Sequence, residues 1–220
     1  MTDHGSPNLL ALLTPSEAAR LRALCRRHAY RDGQVIHERG DRQLRMGLVI
    51  KGCVNLMRLN RDGDVAFTLS VHAGQNYGDT VALDRFRRTH RAVAVGKTEI
   101  DFLSVEALQR ILDSEPAIVA ALYRVAAHRL IAAVDMIDDL RMLKIEARLA
   151  KRLLTMLDQS VQPGRIDCLQ EELAQLLGVS SVTIAKGLRF LARQSLIETG
   201  YRHILVPEAK RLQDWLESQD

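Results

Sequence analysis

The hydrophobic periodicity of the chain changes twice, and this restricts the folds that it can adopt. Between about Tyr30 and Leu103, short segments with β-type patterning are separated by glycines. On either side of this region the spacing of apolar residues is helical, apart from one strand pair near the C-terminus. Short strands at regular spacing are typical of an antiparallel barrel or roll. The predicted fold class is therefore α+β, with an N-terminal antiparallel β-roll followed by helices.

The individual elements follow from the same pattern. Strands are predicted over 34–37, 48–50, 54–59, 65–71 and 92–103, and Asn60-Arg61-Asp62-Gly63 predicts a hairpin turn. A first helix is predicted after Thr14, with Pro15 in its first turn and Glu17 completing a capping box, and its apolar run reaches Arg27. Later helices are predicted over 104–112, 116–143, 146–157, 170–177, 181–194 and 208–216, with a strand pair within 196–206.

The long segment 116–143 carries apolar residues at alternating spacings of four and three. Such a heptad seam favours a partner helix from a second subunit, and small alanines in it permit close approach. The alternative is a long amphipathic helix packed on its own domain. The predicted dimer residues are Tyr123, Ala126, Leu130, Ala133, Ile137 and Leu140.

Residues 172–188 have the pattern of a helix-turn-helix. Ala174 is small where two helices cross, and Gly178 permits the left-handed turn after the first helix. Ser180 can cap the second helix, whose exposed face would contact DNA. The predicted DNA-binding residues on this helix and on the following hairpin, or wing, are Ser180, Ser181, Val182, Thr183, Lys186, Arg189 and Arg202.

The net charge of +4 says little about nucleic-acid binding, so the location of the charge matters. Residues 180–203 contain four basic residues and one acidic residue. Their position on one helix face and the wing favours phosphate contacts over an ordinary solvated surface. A second basic cluster, 85–91, predicts either an anionic ligand or protein partner, or a solvated loop in which only Arg88 points inward.

With these features the chain resembles the cyclic-AMP receptor and fumarate–nitrate regulator (Crp/Fnr) family of bacterial transcription factors. The resemblance extends over nearly the whole chain from Leu21 and includes Val49-Ile50-Lys51-Gly52, Gly74, Gly78-Asp79 and Arg88-Thr89. It implies a cytoplasmic homodimer that binds double-stranded DNA, with RNA polymerase as a further partner of an activator. The implied domains are an effector-binding β-roll of the cyclic-nucleotide-binding type over 1–115, a dimerisation helix over 116–143 and a winged helix-turn-helix over 144–220.

The resemblance also implies an effector site, at which this sequence departs from the family pattern. In the family a Gly-Glu pair precedes Arg-Ser or Arg-Thr and then Ala, and these residues hold a cyclic nucleotide. Here Gly78 and Asp79 stand at the first pair, and Arg88, Thr89 and His90 at the second motif. Asp79 is one methylene shorter than glutamate, while His90 is larger than alanine and takes room in the pocket.

Two further departures concern specificity. The family's cyclic-AMP receptor contacts adenine through a Thr-Ser pair on the dimer helix, where this chain has Ala133 and Val134. It reads its operator with Arg, Glu and Arg, where this chain has Ser181, Val182 and Lys186. Cyclic AMP is therefore only one candidate effector beside another nucleotide, another small molecule or none, and the operator is not transferable.

The remaining function classes rest on fewer features. Cys25, Cys53 and Cys168 are widely spaced, which argues against an iron–sulfur cluster or zinc site. A haem or redox sensor on the same scaffold could use His72, His90 or Cys53, but no paired spacing supports it. No catalytic, P-loop or metal motif predicts an enzyme. No signal sequence or stretch of about 18 apolar residues predicts contact with a membrane.

Overall fold

The structure is a computed structural model that describes residues 7–59, 65–84, 86–158, 160 and 162–219. The chain divides into two compact units, one formed by Gly5–Leu130 and the other containing Ile131–Asp220. Their boundary falls inside a long helix, Pro116–Met142. The division into an effector domain, a dimerisation helix and a DNA-binding domain stays a prediction.

The first unit is a β-roll flanked by helices. A short 3₁₀ helix, Leu10–Leu12, precedes it. The strands are β1 (Arg26–Tyr30), β2 (Val35–His37), β3 (Arg45–Leu59), β4 (Val65–His72), β5 (Asn76–Tyr77) and β6 (Arg91–Ser104). The helices are α1 (Pro15–Ala23), α2 (Asp79–Asp84), α3 (Val105–Ser114) and the start of α4 (Pro116–Met142).

All described strand pairs of the roll are antiparallel. The main path of the six-stranded sheet is β1-β6-β3-β4, and β2 and β5 pair with β6 and β3 respectively. Gly52 lies inside the long strand β3 at φ +78°, where the register against β6 shifts. A Cβ at this position would lie 2.6 Å from Thr98 Oγ1, so only glycine fits the irregularity. Strands predicted separately at 48–50 and 54–59 are consequently one strand with a bulge.

The second unit is a helical bundle with a small sheet. Its elements after α4 are α5 (Ile145–Asp158), β7 (Arg165–Asp167), α6 (Gln170–Leu177), α7 (Ser181–Arg193), β8 (Glu198–Gly200), β9 (His203–Leu205) and α8 (Ala209–Glu217). The three strands pair in the order β7-β9-β8. Leu149 of α5 packs against Gly187 of α7, where an added Cβ would lie only 3.0 Å from Leu149 Cδ2. Gly187 therefore sets how closely these two helices approach.

Several predicted boundaries are wrong. The first helix begins as predicted, with both capping-box hydrogen bonds between Thr14 and Glu17, but it ends at Ala23. Arg26–Tyr30, partly assigned to that helix, is an edge strand whose side chains are mostly exposed and give no β-type alternation. The sequence also gave no prediction for β5, α2 or β7, each of which is short. The predicted turn at 60–63 lies outside the described residues.

The long helix α4 is apolar over much of its length. It is the one helix in the described ranges that length and composition alone would permit to cross a membrane, with a mean hydropathy of 1.6 over 18 residues. Arg124 lies inside this apolar segment, and the absence of a membrane-spanning stretch stays a prediction. Within the chain, 22% of that window is buried.

Candidate functional site

Arg88 is the most deeply buried basic residue of the predicted effector site. Only 3% of its surface is exposed, and its Nη2 donates to the carbonyl of Arg45 at 2.6 Å. Two backbone hydrogen bonds hold the chain at this point. The backbone N–H of Arg88 donates to the carbonyl of Asp41 at 3.0 Å, and the backbone N–H of Gly40 donates to the carbonyl of Arg88 at 2.8 Å. Burial lowers the pKa of Arg88. Its Nε is buried without a hydrogen-bond partner, so the side chain retains a free donor.

Gly78 makes room for the guanidinium of Arg88. It has φ +73°, and a Cβ built on it would overlap Arg88 Nη1. Both the backbone angle and the contact exclude a larger residue. The structure therefore brings together Gly78 and Arg88, which are ten residues apart in the sequence.

Asp79, the first residue of α2, is buried against the long helix. Both of its carboxylate oxygens accept from Arg129 Nη1 at 3.1 Å. Arg129 Nη2 donates in addition to the backbone carbonyl of Asn76 and to Asn76 Oδ1. The carboxylate predicted to hold an effector is thus held by an arginine of α4, which the sequence analysis missed.

Thr89 and His90 lie at the surface side of the same loop. The hydroxyl of Thr89 is 2.8 Å from His90 Nδ1, so the two side chains share a hydrogen bond. Thr89 is exposed and His90 is half-buried, and burial lowers the pKa of His90. The neighbouring Arg87 is exposed, which distinguishes it from the buried Arg88.

Ala133 and Val134 lie in the part of α4 that belongs to the second unit. Both side chains are exposed in the single chain. Neither carries a hydrogen-bonding group, so neither can contact the polar edge of a base as a Thr-Ser pair could.

In the second unit the turn between α6 and α7 has the geometry of a helix-turn-helix. Gly178 ends α6 in the left-handed conformation at φ 65°, and Val179 N donates back to Ala174 O at 3.0 Å. Arg148 of α5 donates to the carbonyl of Leu177 at 2.8 Å, which satisfies another free carbonyl at the helix end. The turn is thereby fixed from both sides.

The N-terminal end of α7 presents polar side chains to solvent. Ser180 caps the helix by accepting from Thr183 N at 3.1 Å, and its hydroxyl also contacts Thr183 Oγ1. Ile184, on the opposite face, is fully buried. The predicted contact residues that are exposed on this helix are Ser181, Val182, Lys186 and Arg189. Because Thr183 is half-buried and engaged in the cap, it is less available to a ligand than its neighbours.

The strand pair β8–β9 follows α7 in the sequence, and the turn between its two strands is exposed. Tyr201 is 88% exposed, and Arg202 is exposed with φ 60°. His203 Nδ1 lies 3.0 Å from the carbonyl of Tyr201 and stabilises the turn. The turn thus offers an aromatic ring and a guanidinium to a partner.

Helix α4 has two different faces. Ile118, Ala121 and Val125 are buried against the β-roll unit. The six predicted seam residues are all exposed instead: Tyr123, Ala126, Leu130, Ala133, Ile137 and Leu140. The seam is therefore a stripe of exposed apolar side chains on α4, and both a partner helix and packing on its own domain stay predictions.

Of the ligands proposed for a haem or redox sensor, Cys53 of β3 and His72 of β4 are cross-strand partners. Within the described ranges, no set of three or more His, Cys, Asp or Glu side chains could hold a metal ion. Burial raises the pKa of the Cys53 thiol and raises that of Cys25 to about 12 and that of Cys168 to about 11. These thiols are therefore protonated at neutral pH.

In comparisons with known protein families, two parts of the chain each match a family model. The family model described as "Cyclic nucleotide-binding domain" matches residues 27–115, and "Crp-like helix-turn-helix domain" matches residues 147–215. The chain is 30% identical over 210 residues to the "Cyclic AMP receptor protein" of Thermus thermophilus, covering 96% of each chain.

It is 27% identical over 186 residues to a "CRP-like cAMP-activated global transcriptional regulator" of Mycobacterium tuberculosis, covering 82% of this chain and 83% of that one. Among solved structures, it resembles the "Catabolite Activator Protein" of Thermus thermophilus with a TM-score of 0.57 and 28% identity. That match covers 97% of this chain and 100% of the other.

Proposed function

The chain belongs to the Crp/Fnr family of transcription regulators, with an effector-binding domain and a DNA-binding helix-turn-helix, and on that premise we propose how it works. We propose a cytoplasmic homodimer, without enzymatic activity, that binds specific double-stranded DNA under the control of a small effector in the β-roll. The observation that carries effector control is the buried Arg88, whose Nε donor has no partner.

Sequence-specific binding is assigned to the exposed N-terminal end of α7. Ser181 and Val182 lie in the first turn, where a recognition helix contacts base edges, and Lys186 follows one turn later. A serine side chain can form hydrogen bonds with several different bases, whereas valine can contact only a thymine methyl group. Lys186, Arg189 and Arg202 would contact phosphates. Such contacts position the protein on the duplex but carry no sequence information.

Dimerisation is assigned to the apolar seam of α4. Leu130 and Ile137, one heptad apart, are 67% and 52% exposed in the single chain. A second copy of the same helix would cover them, and Ala126 and Ala133 would permit close approach of the two backbones. A symmetric dimer would also place two recognition helices for two half-sites.

Effector control is assigned to the loop that carries Arg88. A guanidinium with a free Nε donor in a buried site is suited to an oxyanion. The named relatives are a cyclic AMP receptor protein and a cAMP-activated regulator, but Ala133 and Val134 of this chain offer no hydrogen bond to adenine. The proposed effector is therefore a phosphate-bearing molecule, for which cyclic AMP is one candidate.

The test combines ligand binding with DNA selection on the full-length protein. Thermal unfolding would be followed with cyclic AMP, cyclic GMP and haem, and the haem sample would also be checked for a Soret band. Bound DNA would then be selected from a random library with and without any ligand that shifts the unfolding midpoint. We expect one phosphate ligand to shift the midpoint and to change the yield of one palindromic sequence. A Soret band with no phosphate response would replace this effector class by haem, and an equal yield in both selections would overturn effector control.

A further inference from the structure

The β-roll contains a second set of buried polar groups that the predicted effector site does not use. His37 at the end of β2 is 5% exposed, and Tyr77 of β5 is 3% exposed. The hydroxyl of Tyr77 has no hydrogen-bond partner, and neither ring nitrogen of His37 makes a hydrogen bond of ordinary geometry, although the backbone of Glu38 lies close enough to favour the protonated ring. Two buried side chains that have polar atoms without partners are unusual within one small core.

These two residues lie beside Arg88. The rings of His37 and Tyr77 are 6.0 Å apart between centroids, and Arg88 Cζ lies 6.0 Å from the centroid of the Tyr77 ring. Burial, together with the positive charge of Arg88, lowers the pKa of His37 to about 4. Arg45, whose carbonyl accepts from Arg88, also has a buried Nε without a partner.

The ring of Tyr77 occupies space that a glycine provides. A Cβ at Gly47 of β3 would lie 2.5 Å from Tyr77 Cε1. Gly47 and Gly78 together thus admit the Tyr77 ring and the Arg88 guanidinium next to each other. Both groups are thereby held in the core, although the Tyr77 hydroxyl and Arg88 Nε have no hydrogen-bond partner.

The other buried polar residues of the roll have hydrogen-bond partners. Asp79 and Asp101 accept from arginines, and Thr98 donates to backbone carbonyls. Asp41, whose negative charge acts on both His37 and Arg88, accepts from the backbone N–H of Glu38 at 2.9 Å. In the described part of the roll, the buried side-chain atoms without a hydrogen-bond partner belong to His37, Arg45, Tyr77 and Arg88, and to Arg91, whose Nε lies 3.4 Å from a carboxylate oxygen of Glu38.

We infer that Tyr77 and His37 contact the effector together with Arg88, and that the group they bind is a phosphate. The neutral imidazole of His37 supplies one N–H, Tyr77 supplies its O–H, and Arg88 and Arg45 supply Nε–H groups. A phosphate accepts hydrogen bonds in several directions at once, which fits donors that come from four chain segments. This inference rests on the proposed effector control and adds two specificity residues, Tyr77 and His37, to the proposed phosphate ligand.

The experiment compares Tyr77→Phe, His37→Leu and Arg88→Gln with the wild-type protein. Binding of cyclic AMP, cyclic GMP, adenosine monophosphate and inorganic phosphate would be measured by titration calorimetry on the full chain. The four probes distinguish a cyclic diester, an open nucleotide and a free phosphate as the source of the group. Tyr201→Phe, which removes an exposed hydroxyl in the other unit, is the matched control.

We expect Tyr77→Phe and His37→Leu to weaken binding of the preferred probe about tenfold each, since each loses one hydrogen bond to a charged group. Without ligand, the unfolding midpoint of Tyr77→Phe should stay the same or rise, because an unsatisfied hydroxyl is removed. A purely structural role would lower the midpoint and leave affinity unchanged.

Two results would overturn the inference. If Arg88→Gln abolishes binding while Tyr77→Phe and His37→Leu match Tyr201→Phe, effector control stands and the two contacts are wrong. If the wild-type protein binds none of the four probes, the phosphate class is wrong. The ligand-dependent DNA selection then decides whether effector control fails as well.

Discussion

Arg129 of α4 binds Asp79 of α2 through one guanidinium nitrogen that is 3.1 Å from both carboxylate oxygens. Both side chains are largely buried, with 25% and 12% of their surfaces exposed. The same guanidinium also contacts Asn76, next to Tyr77 in the sequence. One arginine therefore links the long helix to the strand and the helix that flank Gly78. Any effector that contacts Asp79 acts on a group already paired with α4.

Removal of Arg129 should reveal the strength of this link. Arg129→Gln leaves the Asp79 carboxylate without its ion-pair partner, and we expect a loss of about 2 kcal/mol in the free energy of unfolding. Asp79→Asn in the same chain should restore part of that loss, because the unpaired charge disappears. Urea unfolding of the two single variants and the double variant gives the coupling energy. If the losses in the free energy of unfolding of the two single variants add up to that of the double variant, the coupling energy is zero and the ion pair does not stabilise the fold.

His37 predicts a dependence of stability on pH. Its pKa is lowered from 6.5 to about 4 in the folded chain, mainly by burial. The unfolded chain therefore binds a proton that the folded chain does not bind between pH 6.5 and 4, and stability falls as pH decreases through this window.

Between pH 7 and pH 5, His37 should lower the free energy of unfolding by about 2 kcal/mol. His37→Leu should remove this part of the pH dependence in urea unfolding at the two pH values. The control is His72→Gln, at an exposed position, which should keep the wild-type dependence. Equal pH dependence of wild type and His37→Leu would contradict the prediction.

The seam of α4 should determine the oligomeric state. Ile137→Glu places a charge on the apolar stripe, where two copies would face each other across the symmetry axis. We expect dimerisation to weaken on the order of 100-fold, which sedimentation equilibrium can measure. Because Ile137 is 52% exposed in the single chain, the fold of each subunit should survive.

His128→Glu is the control on the same helix, at an exposed position away from the seam. It should leave the dimer unchanged. A dimer that resists Ile137→Glu would exclude the seam as its interface.

The sequence predicts those parts of the fold in which periodicity and end signals agree. Thr14 with Glu17, and Ser180 with Gly178, locate helix ends that the structure confirms. The missed elements have no such signal. Arg26–Tyr30 is an exposed edge strand, and Gly52 interrupts the pattern of β3 without ending the strand, because bulge and turn glycines look alike in a sequence.

The site is less predictable, because its groups come from distant segments. Arg88 and Gly78 could be named from a motif, whereas Arg129 could not. One signal was available: Arg129 continues the spacing of Ile118, Ala121 and Val125, so a charged residue follows the buried face of α4. Nothing in the sequence indicated that Tyr77 is buried, because its burial depends on the space that Gly47 leaves in another strand.

Lys186 offers the most direct test of the DNA interface. It is exposed on α7 among the predicted contact residues, and each phosphate contact contributes about 0.9 to the slope of log affinity against log salt. In a dimer, Lys186→Ala removes two such contacts, so the slope should fall by about 2 while the preferred sequence stays the same. Fluorescence anisotropy on the selected operator at several salt concentrations measures both quantities.

Lys210→Ala, in α8, is the control: it removes the same charge at a position where the lysine pairs with Asp214 at 2.7 Å, and it should leave the slope unchanged. An unchanged slope for Lys186→Ala would remove that residue from the phosphate contacts, and a changed sequence preference would make it a base-reading residue instead.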